Sequence, residues 1–228
     1  MQKGAIMKTC NDSMTRLMRV VRLGTALSAA MIFAACALQA QYTGPTLPQP
    51  PASGDANGVS HAAKEFMQDA AQANLTEIAM ANIAETRAQN TAAKELAHMM
   101  RSDHQQNYDL LRVMAQNHLI VLDSKPDMMN QHAIHRLQKA SDADFDKDYT
   151  KVMLKDHVKC ITRFDKALMD IEEPYVREYA QNTLPALRKH LRHAEDAARS
   201  VGVDEGTISS ILKDLPSDEL LRIASKQN

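Results

Sequence analysis

Tryptophan is absent from this chain of 228 residues, and aromatics together make up 4% of it. Scarce ring side chains and abundant Ala, Leu, Met, Lys, Glu and Gln disfavour strands and favour helices. Beyond residue 40 there is no basic run and no basic face interleaved with aromatics, so nucleic acid is not an expected partner. Also missing are a glycine-rich phosphate loop, a nucleophile elbow and any Ser/His/Asp or Cys/His arrangement, which argues against nucleotide cradling and nucleophilic catalysis. Cysteine is scarce too. Cys10 and Cys36 stand near the amino terminus and only Cys160 lies in the part that reads as folded, so no internal disulfide is expected. Cys160 falls on an apolar helix stripe, where a buried, inert thiol is the expectation.

What is present begins with an export signal over residues 1–40. Arg16, Arg19 and Arg22 form a positive segment ahead of the apolar run LGTALSAAMIFAACAL, residues 23–38, and small residues follow. The run is short for a membrane span and has no stop-transfer flank, which disfavours a retained anchor. Met14 or Met18 would make a more ordinary start than Met1. FAAC, residues 33–36, resembles a bacterial lipobox in which Cys36 would be lipidated and become the mature terminus, although Phe33 stands where leucine is usual. Cleavage after Ala37 or Ala40 is the competing expectation. In the lipoprotein version, Ala37 beside the lipidated cysteine resembles outer-membrane sorting. The expected location is therefore the periplasm, with membrane attachment through Cys36. Residues 1–40 hold five basic residues and one acidic residue, and without them the formal charge moves from −1 to −5. Residues 41–60, rich in Pro, Gly and small polar side chains, read as an unstructured tether.

From Ser60 the apolar period becomes helical. Phe66, Ala70, Ala73, Met80 and Ala84 mark a first helix ending near Arg87, and Asn90-Thr91 supplies the break and the next cap. A second helix carries Ala93, Ala97, Met100, Leu111 and Met114 to about Asn117. A connection of about two dozen residues follows, with a short helix opened by Pro126 and carrying Met129, Ile134 and Leu137. Ser141-Asp142 begins a third long helix through Phe145, Tyr149, Met153, Cys160, Phe164, Leu168 and Ile171. Pro174 opens the fourth, which Gly202 ends, and Pro185 inside it predicts a kink or a break into two segments. The spacing predicts an all-α protein. It is a ferritin-like four-helix bundle over 61–202, with one long connection between its second and third long helices. Residues 203–228 add a C-terminal extension of short helices split by Pro216.

Each long helix places one ligand-type residue on its inner stripe. His157 is four after Met153 and three before Cys160; His104 is four after Met100; His190 is three after Leu187; Glu77 is three before Met80. Counted from the two hairpin turns, all four fall near mid-helix and could share one layer. Asp103 and Asp156 point about 100° away from the neighbouring histidines and are expected at the rim. Three imidazoles and a carboxylate would suit a transition metal such as Zn, Fe or Cu. The alternative is a set of buried polar groups hydrogen-bonded to one another, with Glu77 paired to a protonated histidine. Glu95-Leu-Ala-His98 has the spacing of a di-iron motif, but Glu95 lies off the stripe and no second copy exists, so ferritin-type iron oxidation is disfavoured. His61, His118, His132, His135 and His193 are expected at the solvent or rim. The methionines, including Met99-Met100 and Met128-Met129, invite copper, but core filling is the preferred reading.

FMQDAAQANLTEIAMANIA (66–84), ELAHMMRSDHQQNYDLL (95–111), FDKDYTKVMLKDHVKCITRF (145–164) and LPALRKHLRHA (184–194) resemble the bacterial family called domain of unknown function 4142. The resemblance covers about residues 61–200. It implies a ferritin-like bundle in exported bacterial proteins, and its recurrent Glu, DH, DH and LPxLxxH positions match Glu77, His104, His157 and His190. No biochemical role comes with it. The leading expectation is a non-enzymatic bundle of the cell envelope that binds a metal ion at mid-core. The rivals are a mononuclear metal oxidoreductase with an open position beside Pro185, and a metal-free structural or stress-related binding module.

Overall fold

The computed structural model describes residues 58–217 and residue 219. Residues 1–40, read as an export signal and containing Cys36, and all but the last three residues of the expected tether lie outside them, as does most of the segment after Pro216. Six helices make up the described residues' regular structure: α1 (His61–Arg87), α2 (Thr91–Asn117), α3 (Met128–Lys139), α4 (Phe145–Asp170), α5 (Pro174–Ser200) and α6 (Glu205–Leu212). Among the described residues no helix is long and apolar enough to cross a membrane.

Local chemistry sets the helix ends. The Ser60 hydroxyl accepts from the Ala63 amide, and Asn90 Oδ1 accepts from the amides of Ala92 and Ala93, satisfying donors that the first turns leave open. Asp127 caps α3 by accepting from Asn130. Pro126 therefore stands one residue before the cap and not inside the helix. α4 starts three residues later than Ser141-Asp142 suggests, because Ser141 and Asp144 spend their side chains on each other in a turn ahead of Phe145. Pro174 occupies the first turn of α5 as expected. At the other end, Gly202 has φ +80°, and the Val203 amide bonds back to the Ala198 carbonyl, closing the helix. Pro185 does not divide α5, which is one helix across it.

α1, α2, α4 and α5 form a four-helix bundle in which α1 packs on α2 and α4, and α5 packs on α4 and α2. Two contacts fix the directions. The Ser60 amide donates to Glu173 at the α4–α5 turn (2.8 Å), and Asn90 at the α1–α2 turn meets Ser200 at the end of α5. So α1 and α5 run one way, α2 and α4 the other. The chain must therefore travel the length of the bundle between α2 and α4. It does so along α1. Gln68 bonds the Val121 carbonyl. Gln72 donates to Asp123 (2.8 Å) and accepts from the Asp127 amide (2.8 Å), and Arg87 donates to the carbonyls of Gln138 and Ala140. The core between the four helices is mostly apolar, with Phe145 and Tyr149 fully buried near the start of α4. Near the α4–α5 turn it holds an aromatic cluster, with Phe66 and Phe164 ring centroids 4.9 Å apart and Tyr179 beside both. Met67, Met80, Met100 and Met153 are buried as core filling. Met129, expected on the apolar stripe of the short helix, is instead 78% exposed, as is its neighbour Met128 at 74%.

Candidate metal centre

His104 of α2, His157 of α4 and His190 of α5 meet in the middle of the core, each almost fully buried. Their ring centroids form a near-equilateral triangle of 5.6, 5.2 and 5.3 Å. One ring nitrogen from each lies within 4.8 Å of the others. The remaining nitrogen of each ring is held from outside. His157 Nδ1 is 2.9 Å from the Met153 carbonyl, His104 Nδ1 is 2.9 Å from Asn74 Oδ1, and His190 Nε2 is 2.9 Å from Asp103 Oδ2. All three partners are acceptors, so each neutral ring spends its single N–H outward. What remains facing the triangle are the bare nitrogens His104 Nε2, His157 Nε2 and His190 Nδ1, which have no hydrogen-bond partner among the described residues.

The outer partners are themselves fixed. Asn74 turns its oxygen to His104 because its amide nitrogen donates to the Ala70 carbonyl (2.9 Å) and to Asn107 Oδ1 (3.2 Å). Asn107 in turn accepts from the Tyr179 hydroxyl and donates to Thr183. Asn74, Asn107 and Thr183 lie on or beside the same inner stripes as the histidines, and their polarity there is the sequence signal that marks them. Asp103 holds its expected rim position, with a side chain 39% exposed, and departs from expectation only in joining the centre by reaching across to His190.

Glu77 is placed differently from the three histidines. Its carboxylate is buried with neither oxygen hydrogen-bonded, and Oε1 stands 3.7 Å from His157 Nδ1, the nitrogen already engaged by Met153. It therefore lies behind His157 and not within the triangle. Glu95 and His98 are both exposed, so the di-iron spacing contributes nothing to the core. His61, His132, His135 and His193 are exposed, and His118 is partly buried, stacked on Tyr175 at 3.5 Å.

Residues 48–197, which include all four of these positions, match the family described as Domain of unknown function (DUF4142). The chain belongs to this family. No curated protein and no solved structure matches it. For this DUF4142 chain the chemistry must therefore be read from the centre itself.

Burial decides the charge states. It holds His104 well below the usual imidazole range, helped by His157 and His190. Burial and His190 push His157 down to about 3, against the pull of the Met153 carbonyl. His190 is lowered by burial, while Asp103 partly offsets it. Glu77 is raised well above the carboxylate range, by burial first and Asp156 second. The 3.7 Å approach of Glu77 to His157 has the separation of an ion pair, yet burial opposes a charge on either group. His157 is the neutral partner, because its Nδ1 already donates to Met153 and gains nothing from a charge. Neither mutual hydrogen bonding nor a Glu77–imidazolium pair describes this centre. Burial likewise pushes the Cys160 thiol up to about 12, which leaves it inert.

The two kinds of shift make opposite stability statements. Each histidine has a lowered folded pKa, so it binds a proton on unfolding. Its contribution is complete above about pH 6.5 and is lost as pH falls toward the folded value. Glu77 has a raised folded pKa, so its contribution is complete below about pH 4.3 and is lost as pH rises through the folded value. Metal-free protein should therefore lose melting temperature on acidification below about pH 6.5. Glu77→Gln should raise the melting temperature at neutral and mildly alkaline pH and leave the acid limb unchanged. Thermal melts of both proteins from pH 4 to 8 in chelator check this, and an acid limb missing from both would contradict the buried neutral histidines.

Proposed function

We propose that this protein binds one transition metal ion per chain through His104 Nε2, His157 Nε2 and His190 Nδ1. The observation that carries the proposal is the set of three buried lone pairs facing one another with every ring N–H turned outward. Such an arrangement offers acceptors and no donor, and a Lewis acid is the partner that satisfies all three at once. Imidazole donors suit Zn, Cu or Fe. Each ring has an outer hydrogen-bond acceptor, as metal-bound histidines almost always do. Three protein ligands leave a fourth position for water or another small ligand. Connectivity with one long crossover is that of ferritin-like bundles, which commonly build metal sites in their cores. The exposed Glu95-His98 pair, and a ligand group formed by histidines alone among the described residues, favour a single ion over a di-iron centre.

Protein purified without a histidine tag and dialysed against chelator should take up about one equivalent of Zn, Cu or Fe. His157→Leu should abolish uptake while keeping the helical circular dichroism spectrum. Asp103→Ala should weaken affinity by about 10–100-fold, since it frees the His190 ring. Titration calorimetry and metal analysis decide the matter. Failure of the wild type to bind any of the three would reject the proposal.

The location proposed with it is the bacterial envelope. The positive segment, apolar run and FAAC sequence support export with lipidation at Cys36. The intact mass of membrane-extracted protein should correspond to a chain beginning at a lipid-modified Cys36. A soluble product beginning at Leu38 or Gln41 would keep export and reject the anchor.

A further inference from the structure

The described structure contains a cleft of about 320 Å³ between α1, the crossover and α4. Asp127, Met129 and Lys159 open it to solvent, and its lining includes Asp156 and, more deeply buried, Cys160 and Glu77. At about 30 Å³ per water molecule, this space admits a cation with its hydration shell. On another side of the centre, the cavity bordered by His104 and His190 measures only about 40 Å³. That is little more than one water, so a cation would have to lose its shell before reaching it.

The charges around the cleft single out one residue. Asp69 is paired with Arg163 at 3.3 Å, and Asp156 lies 3.8 Å from Lys159. Glu77 has no hydrogen bond to either oxygen, is buried, borders the cleft, and stands 3.7 Å from His157. A carboxyl group left without hydrogen bonds inside a core costs stability. Its position behind His157, outside the triangle, means that it is not needed to complete the three-nitrogen site.

We propose that the metal ion reaches the three histidines through this cleft, with Glu77 as the transient ligand that passes it from solvent to the triangle. The inference rests on the histidine centre being a metal site. A carboxylate exchanges the water ligands of a divalent ion one at a time and lets the ion shed its shell in steps. Glu77 then acts on the rate of loading and not on the final affinity.

The test is stopped-flow loading of metal-free full-length protein with Zn²⁺, read by release from a coloured chelator, followed by stoichiometry at equilibrium. Glu77→Gln should load about tenfold or more slowly, yet reach the wild-type stoichiometry and affinity. Asp156→Asn should also slow loading, by a smaller factor. Glu95→Gln, the same substitution on the exposed face of α2 away from the cleft, should load at the wild-type rate. Equal rates for Glu77→Gln and wild type would overturn the proposal and point to a path past Asp103. Lost stoichiometry in Glu77→Gln would overturn it too, by making Glu77 a resident ligand. Should Glu77→Gln fail to fold, the Asp156→Asn rate decides, slower supporting and equal overturning. A wild type that binds no Zn²⁺ would instead remove the histidine site on which the inference stands.

Discussion

Three imidazole rings share one space in the core, and each uses its only N–H on an acceptor outside that space. The Met153 carbonyl, the Asn74 amide oxygen and the Asp103 carboxylate all accept and cannot donate, given how each is held. The inward nitrogens are therefore lone pairs that cannot satisfy one another. A core built only for stability would put leucine at these positions. It would avoid both the desolvation of the rings and the facing acceptors, since replacing paired polar groups by apolar ones is often neutral or better.

Much of the bundle serves to hold that arrangement. His104 depends on Asn74, Asn74 on the Ala70 carbonyl and Asn107, and Asn107 on Tyr179 and Thr183, so the orientation of one ring draws on α1, α2 and α5 together. His190 is tied across the α2–α5 groove to Asp103. The α1–α2 and α4–α5 hairpins bring the histidines level; Ser60–Glu173, Asn90–Asp146 and Asn90–Ser200 tie the two hairpins together, and Gln68, Gln72 and Arg87 hold the crossover along α1. Loosening the outer acceptors would let the rings turn and bond to each other, which is why rigid neighbours matter as much as the rings.

The fold was legible because helical periodicity and caps are local properties. Ser60, Asn90, Pro174 and Gly202 act as their residue types predict. The misplacements were also local. Pro126 sits one residue before the cap of its helix, Ser141 makes a turn instead of a cap, and α5 runs on as one helix across Pro185. The convergence of His104, His157 and His190 could be read from their stripe positions alone. Asp103 could not, because a 100° offset on its own helix says nothing of the neighbour it faces, and here that neighbour is His190. Nor could the side of His157 on which Glu77 lies, since that depends on side-chain rotamers and helix separation, not on spacing along the chain.

The tautomers of the three rings test the central claim most directly. Nitrogen-15 NMR of metal-free protein at neutral pH should show three neutral imidazoles, with the proton on Nδ1 of His104 and His157 and on Nε2 of His190. Adding zinc should shift the signals of His104 Nε2, His157 Nε2 and His190 Nδ1 and leave the protonated nitrogens nearly where they were. An imidazolium among the three, or a proton on any inward nitrogen, would contradict the facing lone pairs on which the metal centre depends.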